Sequence, residues 1–358
     1  MIAACWQAGL IAFLAVLLLV PPVKIFCAQF RLYDLPGPLK IHSRPIPRLG
    51  GVAIALALIL GVAAVRLPVG RSAWFLLLAA ILVWMSGLVD DVRGLHPATR
   101  LIAQIIAGFL LVHAGWTLPL WGNATLDAAA SCLYVVLFIN AFNFLDGADG
   151  ITAGVAAMIA IGYIGLPNAA ENALGHTIAW SLLGACAGFL LFNFPPAKMF
   201  MGSGSSALGF AIAFLGLAFC RERSPVQSPL PLLLFSVLVA GLPLVDAVLA
   251  VLRRIRHRAS PFNGDRRHFY DLLLTRGWTA RQVAFTYYTL TAGLVMAGWI
   301  TTRLRFPEAV LAGALIGIAM LVTSVRMGAL RFDSSRNEHA KEDLRWREMA
   351  DHDLREKV

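Results

Sequence analysis

AAASCLYVVLFINAFNFLDGADGITAGVAAMIAIGYIGLP, residues 128–167, is two apolar runs joined by a short polar hinge. Each run is close to the roughly 20 residues that a helix needs to cross a bilayer. Between them the segment 139–151, INAFNFLDGADGI, brings in Asn140, Asn143, Asp146 and Asp149. Acids and amides at a membrane boundary are costly unless a cation or a ligand compensates them. Gly147 and Gly150 permit a tight turn whose backbone can approach such a ligand. A turn with a purely structural role needs one glycine and one acid, so this density points to a site.

The same alternation extends along the whole chain. Apolar runs fall near 5–23, 51–66, 73–89, 101–117, 128–144, 150–167, 178–194, 206–220, 229–252, 282–302 and 307–326. The expectation is an all-α integral membrane protein of about eleven transmembrane helices, one unit over 1–326 with a charged tail over 327–358. Composition agrees: of 358 residues 59% are hydrophobic and 14% charged, against roughly 25% charged in a soluble domain. A soluble multidomain protein is excluded. The first apolar run lacks a basic leading segment and a clear cleavage site, and reads as a retained helix. Cys5, Cys27, Cys132, Cys186 and Cys220 sit in or beside apolar runs without metal-ligand spacing, as packing residues do.

The net charge of +10 is not spread as a nucleic-acid-binding surface would be. The connections 24–50, 90–100, 195–205 and 253–281 and the tail counted from residue 326 carry 24 of the 30 basic residues, and the opposite connections carry Arg66, Arg71, Arg221, Arg223, Arg303 and Arg305. The rich side is therefore expected to be cytosolic, with the N-terminus outside and the C-terminus inside. Nucleic acid is not an expected partner. The small-residue stretch GACAG (184–188) suits either a monomer core or a homodimer face.

Three further polar segments lie on the basic side, in the loops 28–50, 90–100 and 253–281. RLYDLPGPLKIHSRPIPRLGG (31–51) places Asp34, Lys40, His42, Arg44 and Arg48 before Gly50 and Gly51, a composition that suits a phosphate or phospholipid headgroup. GLVDDVRGLHP (87–97) ends an apolar run on Asp90 and Asp91. Adjacent carboxylates either hold a cation such as magnesium together with substrate phosphates, or simply end a helix. RRIRHRASPFNGDRRHFYDLLLTRG (253–277) contains Asp265, Arg266, Arg267 and His268, a basic loop able to bind a pyrophosphate or an anionic leaflet. Just before it, Asp246 lies inside an apolar run and needs a partner, a cation at the helix end or a neighbouring helix.

Taken in order, DLPGPLKIHSRPIPRLGG, GLVDDVRGL with Gln104, NAFNFLDGADGI, FNFPPAKMFMG (192–202) and GLPLVDAVLAVLRR with SPFNGDRRH resemble the polyprenyl-phosphate N-acetylhexosamine-1-phosphate transferases, and the wording is similar to their N-acetylglucosamine branch. The resemblance spans residues 34 to about 277. It implies a transferase in the bacterial inner membrane that works at the cytosolic face, in loops that include 145–150 and 195–205. There undecaprenyl phosphate attacks the sugar-linked phosphorus of a UDP-N-acetylhexosamine and UMP leaves, starting a cell-envelope polysaccharide such as O-antigen lipopolysaccharide. It also implies Mg2+ (or Mn2+) at Asp90, Asp91 and Asp149, with Asp90, Asp91, Asp146 and Asp149 as the catalytic carboxylates. Asp34, Lys40, His42, Arg48, Asn140, Asn143, Lys198, Asp265, Arg266 and His268 are then the substrate-binding residues.

Two departures mark this sequence. Where the resembled pattern FMGDxGS carries an acid, this chain reads FMGSGSSALGF, with Ser203 in its place and a loop one residue shorter. A hydroxyl is a far weaker magnesium ligand than a carboxylate. After His268, where the pattern HxHH is usual, Tyr270 and Asp271 replace two histidines. These leave a second reading, a catalytically silent or regulatory relative that binds polyprenyl phosphate. A secondary transporter is a third, but its acids would cluster at the membrane midplane with repeat symmetry, and neither pattern is present.

Overall fold

The computed structural model describes residues 2–35, 44–67, 70–167, 172–221, 229–258 and 267–330, with side chains from residue 5. Lys40, His42, Asp265, Arg266 and the tail beyond residue 330 lie outside the described residues. The regular structure of the described residues is helical apart from one small hairpin.

Helix α1 (Ile2–Gln29) leads to strands β1 (Tyr33–Asp34) and β2 (Ile46–Pro47), which pair antiparallel with Asp34 opposite Ile46. Then follow α2 (Gly50–Ala64), α3 (Arg71–Arg93), α4 (Pro97–His113), α5 (Ala124–Leu145), α6 (Ile151–Ile164) and α7 (Ala173–Asn193). The chain continues through α8 (Gly204–Arg221), α9 (Leu230–Val239), α10 (Gly241–Arg256), the short α11 (Phe269–Leu274), α12 (Ala280–Thr301) and α13 (Phe306–Arg326).

All eleven apolar runs fall on helices, but they are not equivalent. Among the described residues seven helices, α1, α3, α5, α7, α8, α12 and α13, are long and apolar enough to cross a bilayer. The run 229–252 does not form the single helix expected of it: α9 and α10 meet at a 74° bend. Pro243 explains the break, since it has no N–H to offer the Val239 carbonyl and its ring would strike that group in a continuous helix. The other three, α2, α4 and α6, have 15, 17 and 14 residues. They span only about 21–26 Å of a hydrocarbon core about 30 Å thick.

Helix α8 is the central pillar. Every residue from Gly204 to Cys220 is buried, as a helix apolar on all sides must be. Helices α2, α3, α5, α6, α7 and α9 pack around it. At the periphery the arrangement is reversed: Leu311, Leu315 and Ile318 of α13 are 62%, 59% and 57% exposed. Apolar surface on that scale belongs in lipid, and the chain is a multi-pass membrane protein.

The GACAG stretch is consumed inside the chain. Gly184 lies so close to the backbone of Gly9 that a Cβ would collide with it, Gly188 packs against Phe13 O and Val16 of the same helix, and Ala185 and Cys186 are buried as well. Of its two expected roles, its glycines serve packing inside the monomer. The five cysteines are buried thiols, as packing residues should be.

Candidate active site

The polar motifs meet at one end of the bundle around a cavity of about 1460 Å3. Its walls carry the carboxylates of Asp34, Asp91, Asp146 and Asp149 and the cations of Arg44, Arg48, Lys198 and Arg281.

The floor is built by backbone pairing between distant loops. Phe200 N–H donates to Pro47 O (2.8 Å), Gly50 N–H to Phe200 O (2.9 Å) and Gly51 N–H to Met201 O (2.7 Å). A Cβ at Gly51 would run into the backbone of Gly204, which is why PRLGG and FMGSG need small residues where they cross. Gly202 has φ +57° and sits against Arg48 O and the Asp91 carboxylate, so the left-handed turn there requires glycine.

Adjacent residues on a helix point about 100° apart, so Asp90 and Asp91 do not face a common point. Asp91 turns into the cavity, where its Oδ2 accepts the Ser203 N–H at 2.6 Å. Asp90 turns away: it accepts from Arg100 (2.7 Å) and from the Leu95 N–H (2.8 Å), tying the end of α3 to α4. The structure therefore does not bring Asp90 to the cavity.

The hinge between α5 and α6 supplies the next two acids. Asp146 follows the last residue of α5, and Gly150, with φ +74°, opens α6. Burial pushes the Asp146 carboxyl up to about 7, and the charges of Asp91 and Asp149 add to the rise. Asp149 Oδ2 accepts the Ala197 N–H at 2.9 Å. Asn193 braces the same corner, accepting from Gly150 N–H (3.0 Å) and donating to Met199 O (2.9 Å). Asn143 Oδ1 accepts from the hydroxyls of Ser205 (2.8 Å) and Ser206 (2.9 Å), joining the end of α5 to the start of α8.

Asn143 does not line the cavity, and two more expected substrate-binding residues also sit elsewhere. Asn140 donates to Gln104 Oε1 (2.6 Å) and to Val136 O (2.8 Å), a tie between α4 and α5 outside the cavity wall. His268 is buried beside the cavity, with Nδ1 2.6 Å from Asp246 Oδ2. That contact, with Phe269 N–H donating to Asp246 Oδ1 (3.0 Å), supplies the partner Asp246 needs. The two residues that replace histidines also have definite places: Tyr270 stacks on His268 with its hydroxyl against Gly147, and Asp271 accepts from His268 N–H at the start of α11.

The sequence does not mark Arg281 or Asn193 as site residues. The Thr279–Gln282 capping box starts α12 and sets Arg281 in its first turn. The Arg281 Nε donates to Pro195 O at 3.0 Å, which holds the side chain at the rim. The capping pattern in TARQ was visible, but the approach of α12 to residue 195 was not.

Among the described residues, no three of His, Cys, Asp and Glu gather closely enough to hold a metal ion by themselves. Magnesium does not need three, because it is commonly held by one or two carboxylates together with substrate phosphates. Three mutually repelling acids, one lifted to about 7, fit such an ion.

A helical membrane bundle whose terminal cavity is walled by both acids and cations suits a class of membrane proteins that handle polyanions. Residues 73–220 match the profile of glycosyl transferase family 4. The chain is 32% identical to a decaprenyl-phosphate N-acetylglucosaminephosphotransferase of Mycobacterium tuberculosis, over 91% of this chain and 90% of the relative. It is 27% identical to a probable undecaprenyl-phosphate N-acetylglucosaminyl 1-phosphate transferase of Bacillus subtilis, over 79% and 81%. It is also 27% identical to an undecaprenyl-phosphate alpha-N-acetylglucosaminyl 1-phosphate transferase of Escherichia coli K12, over 74% of each chain. The chain belongs to this family, the polyprenyl-phosphate N-acetylglucosamine-1-phosphate transferases of glycosyl transferase family 4.

Proposed function

We propose that the protein transfers N-acetylglucosamine-1-phosphate from its UDP-sugar to a polyprenyl phosphate. An oxygen of the lipid phosphate bonds to the sugar-linked phosphorus, the bond from that phosphorus to the bridging oxygen breaks, and UMP leaves with that oxygen. The observation that carries this reading is the juxtaposition of Asp91, Asp146 and Asp149 with Arg44, Arg48, Lys198 and Arg281 in one cavity at the end of an apolar bundle. A lipid acceptor and a water-soluble nucleotide can meet only at such a boundary. The basic residues on that side support a cytosolic site in a bacterial inner membrane, and α2, α4, α6 and the bent pair are assigned to the four remaining crossings of an eleven-span topology.

Both reactants are anions, so cations must offset their repulsion as charge develops in the transition state. Arg44, Arg48, Lys198 and Arg281 would bind the phosphates from the walls. Asp91 and Asp149 would hold Mg2+ (or Mn2+), with Asp146 behind them, and the ion would supply Lewis-acid stabilisation of the transferring phosphoryl group. Asp90 and Asn143 act as positioning residues, through Arg100 and through the serines of α8.

Ser203 favours one second reading, a relative that binds substrates without turnover, because the loop gives Asp91 a backbone N–H rather than a second carboxylate. Purified protein incubated with undecaprenyl phosphate, Mg2+ and a panel of UDP-N-acetylhexosamines distinguishes the two. UMP release with UDP-N-acetylglucosamine is the expected result. UDP-sugar binding without UMP release, together with turnover in Ser203→Asp, would establish the silent relative.

A further inference from the structure

A second concavity, of about 450 Å3, lies between α2 and α3. These helices are consecutive in the chain yet barely touch. Each packs instead on α8, which leaves a cleft floored by Ala207, Phe210 and Phe214. The cleft is lined almost wholly by carbon, and its volume is within the range of small-molecule sites. The outer edges are open to lipid, since Trp74 is 67% and Ile81 37% exposed.

The two ends of the cleft differ. At the end nearer the active site, Gly51 and Gly87 close on Ser203 and Gly204 so tightly that a Cβ on either glycine would collide. The cleft and the active-site cavity share no residue. A chain lying in the cleft therefore has no direct path between α2 and α3 to Asp91. At the far end are Arg66, which lines the cleft, and Arg71, the first residue of α3. Both are exposed, and Arg66 is held at φ +43° just beyond α2.

We propose that this cleft binds one acyl chain of an anionic phospholipid, whose headgroup phosphate lies against Arg66 and Arg71 at the membrane surface opposite the active site. The carbon lining suits the chain, the arginine pair suits the phosphate, and the closed inner end offers the lipid that reacts no direct path between α2 and α3. A basic side chain near an anionic bilayer surface attracts it by an amount that two neighbouring arginines roughly double.

Native mass spectrometry of the full chain can read this, with equal amounts of phosphatidylglycerol and phosphatidylcholine of the same acyl composition. One phosphatidylglycerol per chain is expected to be retained in preference to phosphatidylcholine. Ala80→Phe and Leu58→Trp fill the cleft from opposite helices, and whichever melts as the parent does should cut retention roughly tenfold, about 1.4 kcal/mol. The double variant Arg66→Glu/Arg71→Glu should erase the preference for phosphatidylglycerol while leaving the cleft open. Equal retention of both lipids by the parent would overturn the proposal, as would unchanged retention in the folded cleft-filling variants. Displacement of the bound lipid by undecaprenyl phosphate would assign the cleft to the acceptor instead. A parent dimer that the filling variants dissociate would assign it to a second copy.

Discussion

On α3 the carboxylates of Asp90 and Asp91 leave the helix in different directions, and their substitutions should fail differently. Asp91 faces the cavity and makes its main contact with a backbone N–H, so Asp91→Asn should cut UMP release at least about 100-fold. Its melting temperature should not fall, because a buried charge has been removed. Asp90→Asn should keep turnover within about tenfold and lose about 1 kcal/mol of stability, since it weakens a partly exposed charge-assisted bond to Arg100. Steady-state kinetics and thermal melting of the two variants side by side check this. The sequence shows two adjacent acids, but which one faces the site depends on the phase of the helix and on Arg100, and neither is legible in DDVRGL. Arg281 is less legible still, because its place at the site comes from the approach of α12 to Pro195.

Among the elements, the apolar runs predict helices well because run length is a local property. Their ends and bends are less legible. GLPLVD contains the proline that breaks the run at residue 240, yet the 74° angle becomes visible only with α13 and α12 packed against the pair. The bend turns Asp246 toward the start of α11, where it meets His268 Nδ1 and Phe269 N–H. Asp246→Asn replaces an acceptor of both groups by one that can serve only one of them with its oxygen. The expected loss is about 2–3 kcal/mol. If that contact also sets the position of His268 and Tyr270 beside Gly147, the Michaelis constant for the UDP-sugar should rise while Asp246→Glu partly restores it. Melting and kinetics on both variants test this pairing.

For the molecule as a whole, the acids gathered at one end make stability depend on pH and on cations together. Asp146 is raised to about 7 from the usual carboxylate range near 4. A group raised in the folded state favours folding fully at pH values below its unfolded pKa, and that contribution is lost as pH climbs through about 7. A divalent cation bound among the carboxylates offsets the loss where they are ionised and competes with protons where they are not. Mg2+ should therefore raise the melting temperature of the detergent-solubilised protein more at pH 8 than at pH 6. An equal rise at both values would remove Asp146 from the cation's surroundings.

The pairings that close the cavity also govern when it can exist during synthesis. Ser203 reaches Asp91 across 112 residues, and Tyr288 donates to Gly150 O across 138. Arg281 reaches back to Pro195 across 86. Contacts of such separation cannot form until their later partner has been made. A nascent chain halted after α8 would hold the acids of the cavity without the cation and the tyrosine that α12 brings. The catalytic end of this protein is thus among the last parts to be completed, after most of its helices have already entered the membrane.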